Sequence, residues 1–367
     1  FQHTMSGLFY DSLIMKMYPD VYPHGYFPTS SDDQNFEPNF SAPDLVDASF
    51  DIAVNYFTHN PTLNTIAFSV MDGTGGYTAT GQSLIDANAK WLNSLAERMP
   101  NKTIAYLVYS ALNGIPTVKL NKNVLPITVW HLSNGIADSF YLQNGGLSKW
   151  AKVTSNIGND DWAEGKGFIY PRLYSHIISS YLQEIKKQNI SFGYAHIEAY
   201  PNWALDGIKY YEMGKMYWNP DVNLDSIRSQ FCTDMFGNAD KQMKSYFDNL
   251  EAISTWLNNH SVTPTHMYNY PQQLFLDSTR LVLVSNCRSY LNAAANLATT
   301  QDEKDRVQFF NTGFTLIEGF WNKYNLKDSI DLKGYIKNNV SGTDRILFSG
   351  TDSNYVNSLY NLINSIK

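Results

Sequence analysis

Five short apolar runs punctuate the first half of the chain, and they restrict its fold more than any other feature. They are Thr65–Met71 (TIAFSVM), Thr103–Tyr109 (TIAYLVY), Pro126–His131 (PITVWH), Val153–Ile157 (VTSNI) and Ser191–Glu198 (SFGYAHIE). These runs are continuous rather than alternating, and rich in β-branched and aromatic residues, as strands buried on both faces are. Helical spacing appears between them. Ser83–Met99 sets Leu84, Ala87, Trp91, Leu92 and Leu95 on one face, and Pro171–Gln188 reads as another helix. Strands alternating with helices define βαβ units and a parallel sheet. The expectation is an α/β domain over residues 1–220.

Beyond about residue 222 the strand pattern stops. Leu224–Met235, Asp240–Asn258, Pro271–Ala298 and Gln301–Asn325 carry helical periodicity, and Asn354–Lys367 reads as a last helix. Thr300-Gln301-Asp302-Glu303 looks like a helix start. Asn219-Pro220-Asp221 is the expected boundary, because proline disfavours helix at the residue before it. Residues 221–367 are therefore expected to form an all-α C-terminal domain.

Composition narrows the function. With 43% hydrophobic residues a large core can be buried, so a disordered chain is excluded. The net charge is −7 and no basic run occurs, so the phosphate-neutralising footprint of a nucleic-acid binder is missing. No apolar run approaches the roughly 18 residues needed to cross a bilayer. Charged residues are only 17%, and Asn, Ser, Thr, Gln and Tyr carry the polarity, as is common in secreted proteins. Aromatics reach 14%, which suits either stacking on sugar rings or an aromatic core. Cys232 and Cys287 allow a single bridge or two buried thiols, and cannot build a multi-cysteine zinc site. The histidines lack metal-ligand spacing, so neither metal nor cofactor is expected. The chain opens at Phe1-Gln-His-Thr-Met, which reads as a processed chain or a piece of a longer one.

Parallel α/β barrels place their sites at the C-terminal ends of strands, so the residues there are the candidates. Asp72-Gly73 follows the first run, Ser110 the second, and His131 closes the third. Asp160, Asp161, Trp162 and Glu164 follow the fourth, and His196, Glu198, Tyr200, Asn202 and Trp203 gather at the fifth. Carboxylates at strand ends suit glycosidic hydrolysis, in which one carboxyl protonates the leaving oxygen and a second acts on water or the anomeric carbon. Each residue also has a plain role. Asp72 before glycine forms turns, and Asp160-Asp161 caps helices. His131 and His196 serve as hydrogen-bonded core residues, and Trp162 and Trp203 as core packing. Glu198 closes an apolar strand, where an idle carboxylate is costly.

Three stretches resemble the DUF4838 family of glycoside-hydrolase-like proteins. They are Asp160-Asp161-Trp162-Ala163-Glu164-Gly165 with Phe168 to Tyr174, Tyr194-Ala195-His196-Ile197-Glu198-Ala199-Tyr200-Pro201-Asn202-Trp203, and Met216-Tyr217-Trp218-Asn219-Pro220-Asp221 with Phe236-Gly237-Asn238-Ala239. Ser69-Val70-Met71-Asp72-Gly73 is similar to the family's strand ending in Asn-Asp-Gly, with Met71 in place of Asn. The Trp-Asn-Pro-Asp segment is also similar to the family 67 α-glucuronidases, whose catalytic Glu motif does not occur here. The resemblance implies a (β/α)8 TIM-type barrel followed by a helical domain, in proteins that are mostly secreted or periplasmic. It makes TIAFSVM strand four and Asp72 the general acid, with Glu198 at the end of strand eight. Phe1–Ser6 would end strand three, and strands one and two would lie on an upstream segment that completes the barrel.

The leading expectation is a glycoside hydrolase acting on a poly- or oligosaccharide. Asp72 is its acid, and Glu198 or Asp161 its second carboxylate. Trp162, Tyr200 and Trp203 form sugar platforms, and His131, His196 and Asn202 lie beside them. Arg172 and Lys166 either meet a uronate or sulfate or are solvated loop charges. The rival expectations are a non-catalytic glycan-binding protein on a decayed barrel and a structural component of an extracellular assembly.

Overall fold

The computed structural model describes residues 3–73, 77, 79–129, 146–161, 171–197, 203–260 and 281–326. Two short helices, α1 (Met5–Phe9) and α2 (Ser12–Met17), precede a polar loop and the long helix α3 (Leu45–His59). There follow β1 (Thr65–Ala67), α4 (Gly81–Arg98), β2 (Thr103–Val108), β3 (Val124–Val129), α5 (Gly146–Val153), β4 (Asn156–Asp161), α6 (Ser175–Lys187) and β5 (Ser191–Ile197). After α7 (Trp203–Trp218) come α8 (Leu224–Phe236), α9 (Asp240–His260), α10 (Leu281–Leu297) and α11 (Gln301–Leu326).

The strands form one five-stranded parallel sheet in the order β1-β2-β3-β4-β5. Thr65 pairs with Thr103, Ile104 with Val124 and Ile127 with Gly158, in parallel register. Each strand thus lies beside the next in sequence, as consecutive strands usually do. The expected α/β fold with a helical C-terminal region is present.

Local differences have physical causes. β1 is shorter than the apolar run Thr65–Met71. Past Ala67 its backbone pairs partly with β2, through Phe68 N–H to Ala105 O at 2.8 Å, and then turns to groups of the N-terminal segment. Phe1–Ser6 does not end a strand over its described residues, since α1 begins at Met5. That segment nonetheless lies along β1, with Thr4 and Met5 both donating N–H to Ser69 O. The fourth strand begins later than expected and runs to Asp161. Val153 ends α5, whose Leu147 and Trp150 are buried. Asn159, Asp160 and Asp161 belong to the strand and are buried despite their polarity.

The chain divides into two compact units. The first comprises residues 1–130, 143–160 and 185–196, the second 131–142, 161–184 and 197–367. The first has an aromatic centre in which Phe9 meets Phe36 and Phe68, and Trp91 stacks on Phe40 with ring centroids 5.4 Å apart. Trp91 satisfies its indole N–H on Ser49 Oγ at 3.1 Å.

The second unit's core gathers Phe236, Tyr246, Phe247, Phe310 and Phe314 around the buried, unbridged Cys232 and Cys287. Burial pushes the Cys232 thiol up to about 12, so it behaves as an apolar filler. Asn223 caps α8 by accepting from Ser226 N–H at 2.8 Å, just after the Pro220 break. The helix start expected at Thr300 is a capping box. Thr300 Oγ1 accepts from Glu303 N–H, and Glu303 Oε2 accepts from Thr300 N–H.

A buried ion network ties α7, α8 and α9 together within the second unit. Arg228 binds Glu212 through two hydrogen bonds, of 2.7 and 3.1 Å, and donates to Glu251 at 2.6 Å and Asp248 at 2.9 Å. Burial holds the Glu212 carboxyl above its usual range, only partly offset by Arg228. Glu251 responds differently. Burial pushes it up, but hydrogen bonding to His176 and the Arg228 charge prevail and hold it at about 2.

Candidate active site at the end of strand one

The residues after β1 are held by two neighbouring segments. On one side, Thr4 Oγ1 donates to Ala67 O at 2.6 Å and accepts from Ser69 N–H at 3.0 Å. His3 Nδ1 hydrogen-bonds Val70 O at 2.8 Å, which fixes it as the donor against a carbonyl. On the other side, the loop before α3 takes three successive amides. Met71 N–H donates to Glu37 Oε1 at 2.6 Å, Asp72 N–H to Gln34 Oε1 at 3.0 Å, and Gly73 N–H to Gln34 O at 2.8 Å. Only glycine fits at residue 73, since a Cβ there would stand 2.1 Å from Gln34 O.

Asp33 holds that loop in shape. Its carboxylate accepts from Thr29 N–H, Tyr26 Oη, Asn35 N–H and Thr29 Oγ1. These donors, the Thr29 amide first, hold it down at about 2, so it stays ionised.

Asp72 itself is exposed. Its Oδ1 accepts from Tyr109 Oη at 2.7 Å, which joins the end of β2 to the end of β1. The Tyr109 ring meets His3 edge-on, with centroids 6.0 Å apart. Ser110 follows at a φ of 51°, a left-handed conformation that is strained for a non-glycine residue. Behind Asp72, Glu37 is 1% exposed. Burial raises its carboxyl to about 8 against the lowering effect of the Met71 amide, so it is mostly protonated at neutral pH. Burial and the Glu37 charge hold the Tyr77 hydroxyl above its ordinary range.

The other expected site residues fall as follows. Asp161 closes β4, fully buried, with the Tyr174 hydroxyl 3.4 Å from its Oδ2. Burial first, then the Asp161 charge, keeps that tyrosine neutral. Arg172 is buried rather than a solvated loop charge, and its carbonyl accepts from the buried Lys209 Nζ at 2.8 Å. Trp203 begins α7, 42% exposed, with Tyr210 5.7 Å away between ring centroids. His196 lies in β5, but its side chain is outside the described part. Glu198, Tyr200, Asn202, Trp162, His131 and Lys166 lie outside the described residues.

Glu37, Gln34, Tyr109 and His3 were not foreseen. Tyr109 was legible as the last residue of an apolar run facing a strand end. Glu37 sits in an aperiodic stretch between Phe36 and Pro38, where spacing gives no signal.

Among the described residues no group of three or more His, Cys, Asp or Glu is placed to hold a metal ion. No described helix is long and apolar enough to cross a membrane.

The fold and this strand end define a parallel α/β protein with a tethered carboxylate at the C-terminal edge of its sheet. Over residues 2–248 the chain matches the family described as "Domain of unknown function (DUF4838)", and it belongs to that family. No curated protein matches it.

Proposed function

We propose that this chain is a glycoside hydrolase acting on a poly- or oligosaccharide by carboxylate acid–base chemistry. The observation that carries the reading is the Asp72 carboxylate, exposed at the C-terminal end of β1 and bound by the Tyr109 hydroxyl from the end of the next strand. Enzymes with parallel α/β barrels do their chemistry at this edge. The strand order supports a barrel over a doubly wound sheet. It runs from β1 to β5 without the reversal that a doubly wound sheet has at its switch point. On this reading the sheet is one sector of an eight-stranded barrel.

Asp72 is the general acid, donating to the leaving glycosidic oxygen. The second carboxylate comes from the end of β4 or just after β5, as Asp161 or Glu198. Trp203, with its exposed ring, is a sugar platform. A polymeric substrate goes with a secreted or periplasmic protein.

Incubation with neutral, uronate-bearing, amino-sugar and sulfated glycans, followed by NMR, tests the reading and reports the anomer released. Binding without product would favour a glycan-binding protein, and neither binding nor product a structural component.

A further inference from the structure

The loop before α3 supplies a buried carboxyl to which the hydrolytic reading gives no role. Glu37 Oε1 accepts Met71 N–H, the first of the three successive amides that this loop holds, and Asp72 is the next residue. We propose that Glu37 is the positioning residue for Asp72, setting through Met71 where the strand end turns outward and so where the Asp72 carboxylate meets Tyr109. The consequence for catalysis rests on Asp72 being the reactive carboxyl, while the positioning itself does not.

The geometry demands a neutral group at this position. Glu37 is 1% exposed, and its Oε2 has no hydrogen-bond partner among the described residues. A buried carboxylate stabilised by one amide is costly, whereas the neutral acid keeps Oε1 as an acceptor. Its carboxyl is accordingly raised to about 8. Ionisation leaves a charge on an oxygen without a donor, which the loop relieves by admitting water. The Met71 hydrogen bond is the link between that rearrangement and Asp72.

The other titratable groups around this strand end are Tyr77, His3, Asp72 and Tyr109. Tyr77 stays neutral over this range, held up first by burial. His3 binds Val70 O and can be followed by its own ring protons.

NMR on the full chain tests the proposal without a substrate. The Glu37 side-chain carboxyl and the amides of Met71, Asp72 and Gly73 are followed between about pH 6 and 10 in the wild type and in Glu37→Gln, which keeps a neutral acceptor. The carboxyl is expected to titrate near pH 8 with the three amides moving at the same midpoint. In Glu37→Gln the amides should keep their neutral-form positions and lose the step. If that variant fails to fold, the wild-type titration decides alone. The same coupled titration in a chain that turns over no glycan supports the positioning and counts only against hydrolysis. Amides that stay still while the carboxyl titrates, or a Glu37 ionised across the whole range, would overturn the proposal.

Discussion

Tyr109 donates its hydroxyl to Asp72 Oδ1 at 2.7 Å, so the ends of two adjacent parallel strands are joined through a single carboxylate. As Asp72 gives up its proton this hydrogen bond comes to face a developing charge, and a hydrogen bond to a charged group contributes about 1.5–3 kcal/mol. Tyr109→Phe is therefore expected to lower kcat/KM on a turned-over glycan by roughly ten- to a hundredfold. The melting temperature should change little, because Asp72 is exposed. Steady-state kinetics beside a thermal melt checks both halves.

The close approach at Gly73 makes a second expectation. Gly73→Ala puts a methyl group against Gln34 O, a backbone atom that cannot swing aside. Destabilisation of about 1–3 kcal/mol is expected, measured by urea unfolding. The amides of Asp72 and Gly73 should lose their hydrogen-exchange protection as the contact to Gln34 opens.

Arg228 is shared between the buried Glu212 and Glu251. Arg228→Met leaves both carboxylates without their shared partner, and removing one member of a buried pair typically costs about 3–5 kcal/mol. The full chain should unfold at a markedly lower temperature. The β1 end belongs to the other compact unit, so the amides of Met71, Asp72 and Gly73 should keep their wild-type NMR positions below the melting point.

Stability should peak on the acid side of neutrality. Glu37 is raised from 4.5 to about 8 in the folded protein. Between those values the native state binds more protons than the unfolded chain, so stability falls as pH rises, levelling off above pH 8. His176, raised by its hydrogen bond to Glu251, adds a smaller fall of the same sign. Its contribution is complete below the unfolded histidine value and is lost as pH rises through its folded one. Glu251, held at about 2, acts oppositely, and its contribution is lost as pH falls from 4.5 towards 2. Chemical unfolding across pH should show a flatter alkaline side in Glu37→Gln.

The strands were legible because burial on both faces leaves short apolar runs rich in β-branched and aromatic residues. β2, β3 and β5 lie close to their expected limits. β3 starts two residues before Pro126, because Val124 and Leu125 already pair with Ile104 and Ala105. β4 slipped because its second half, Asn159-Asp160-Asp161, is polar and buried, which is the signature of a loop in sequence and of a strand in the fold. Thr300 and Glu303 announced α11 because a capping box is local chemistry. The site was half legible. Asp72 directly follows the apolar run that contains β1, whereas Glu37 reaches Met71 across 34 residues, a pairing set by tertiary packing alone.

The most direct test of the central claim compares Asp72→Asn with the wild type on whichever glycan the wild type cleaves. The variant keeps the shape and the Asp72 N–H bond to Gln34 but removes the acid. Loss of general acid catalysis predicts a fall in kcat of roughly 10²- to 10⁴-fold with the fold intact. An Asp72→Asn enzyme that keeps wild-type turnover would show that the carboxylate tethered by Tyr109 is not the acid.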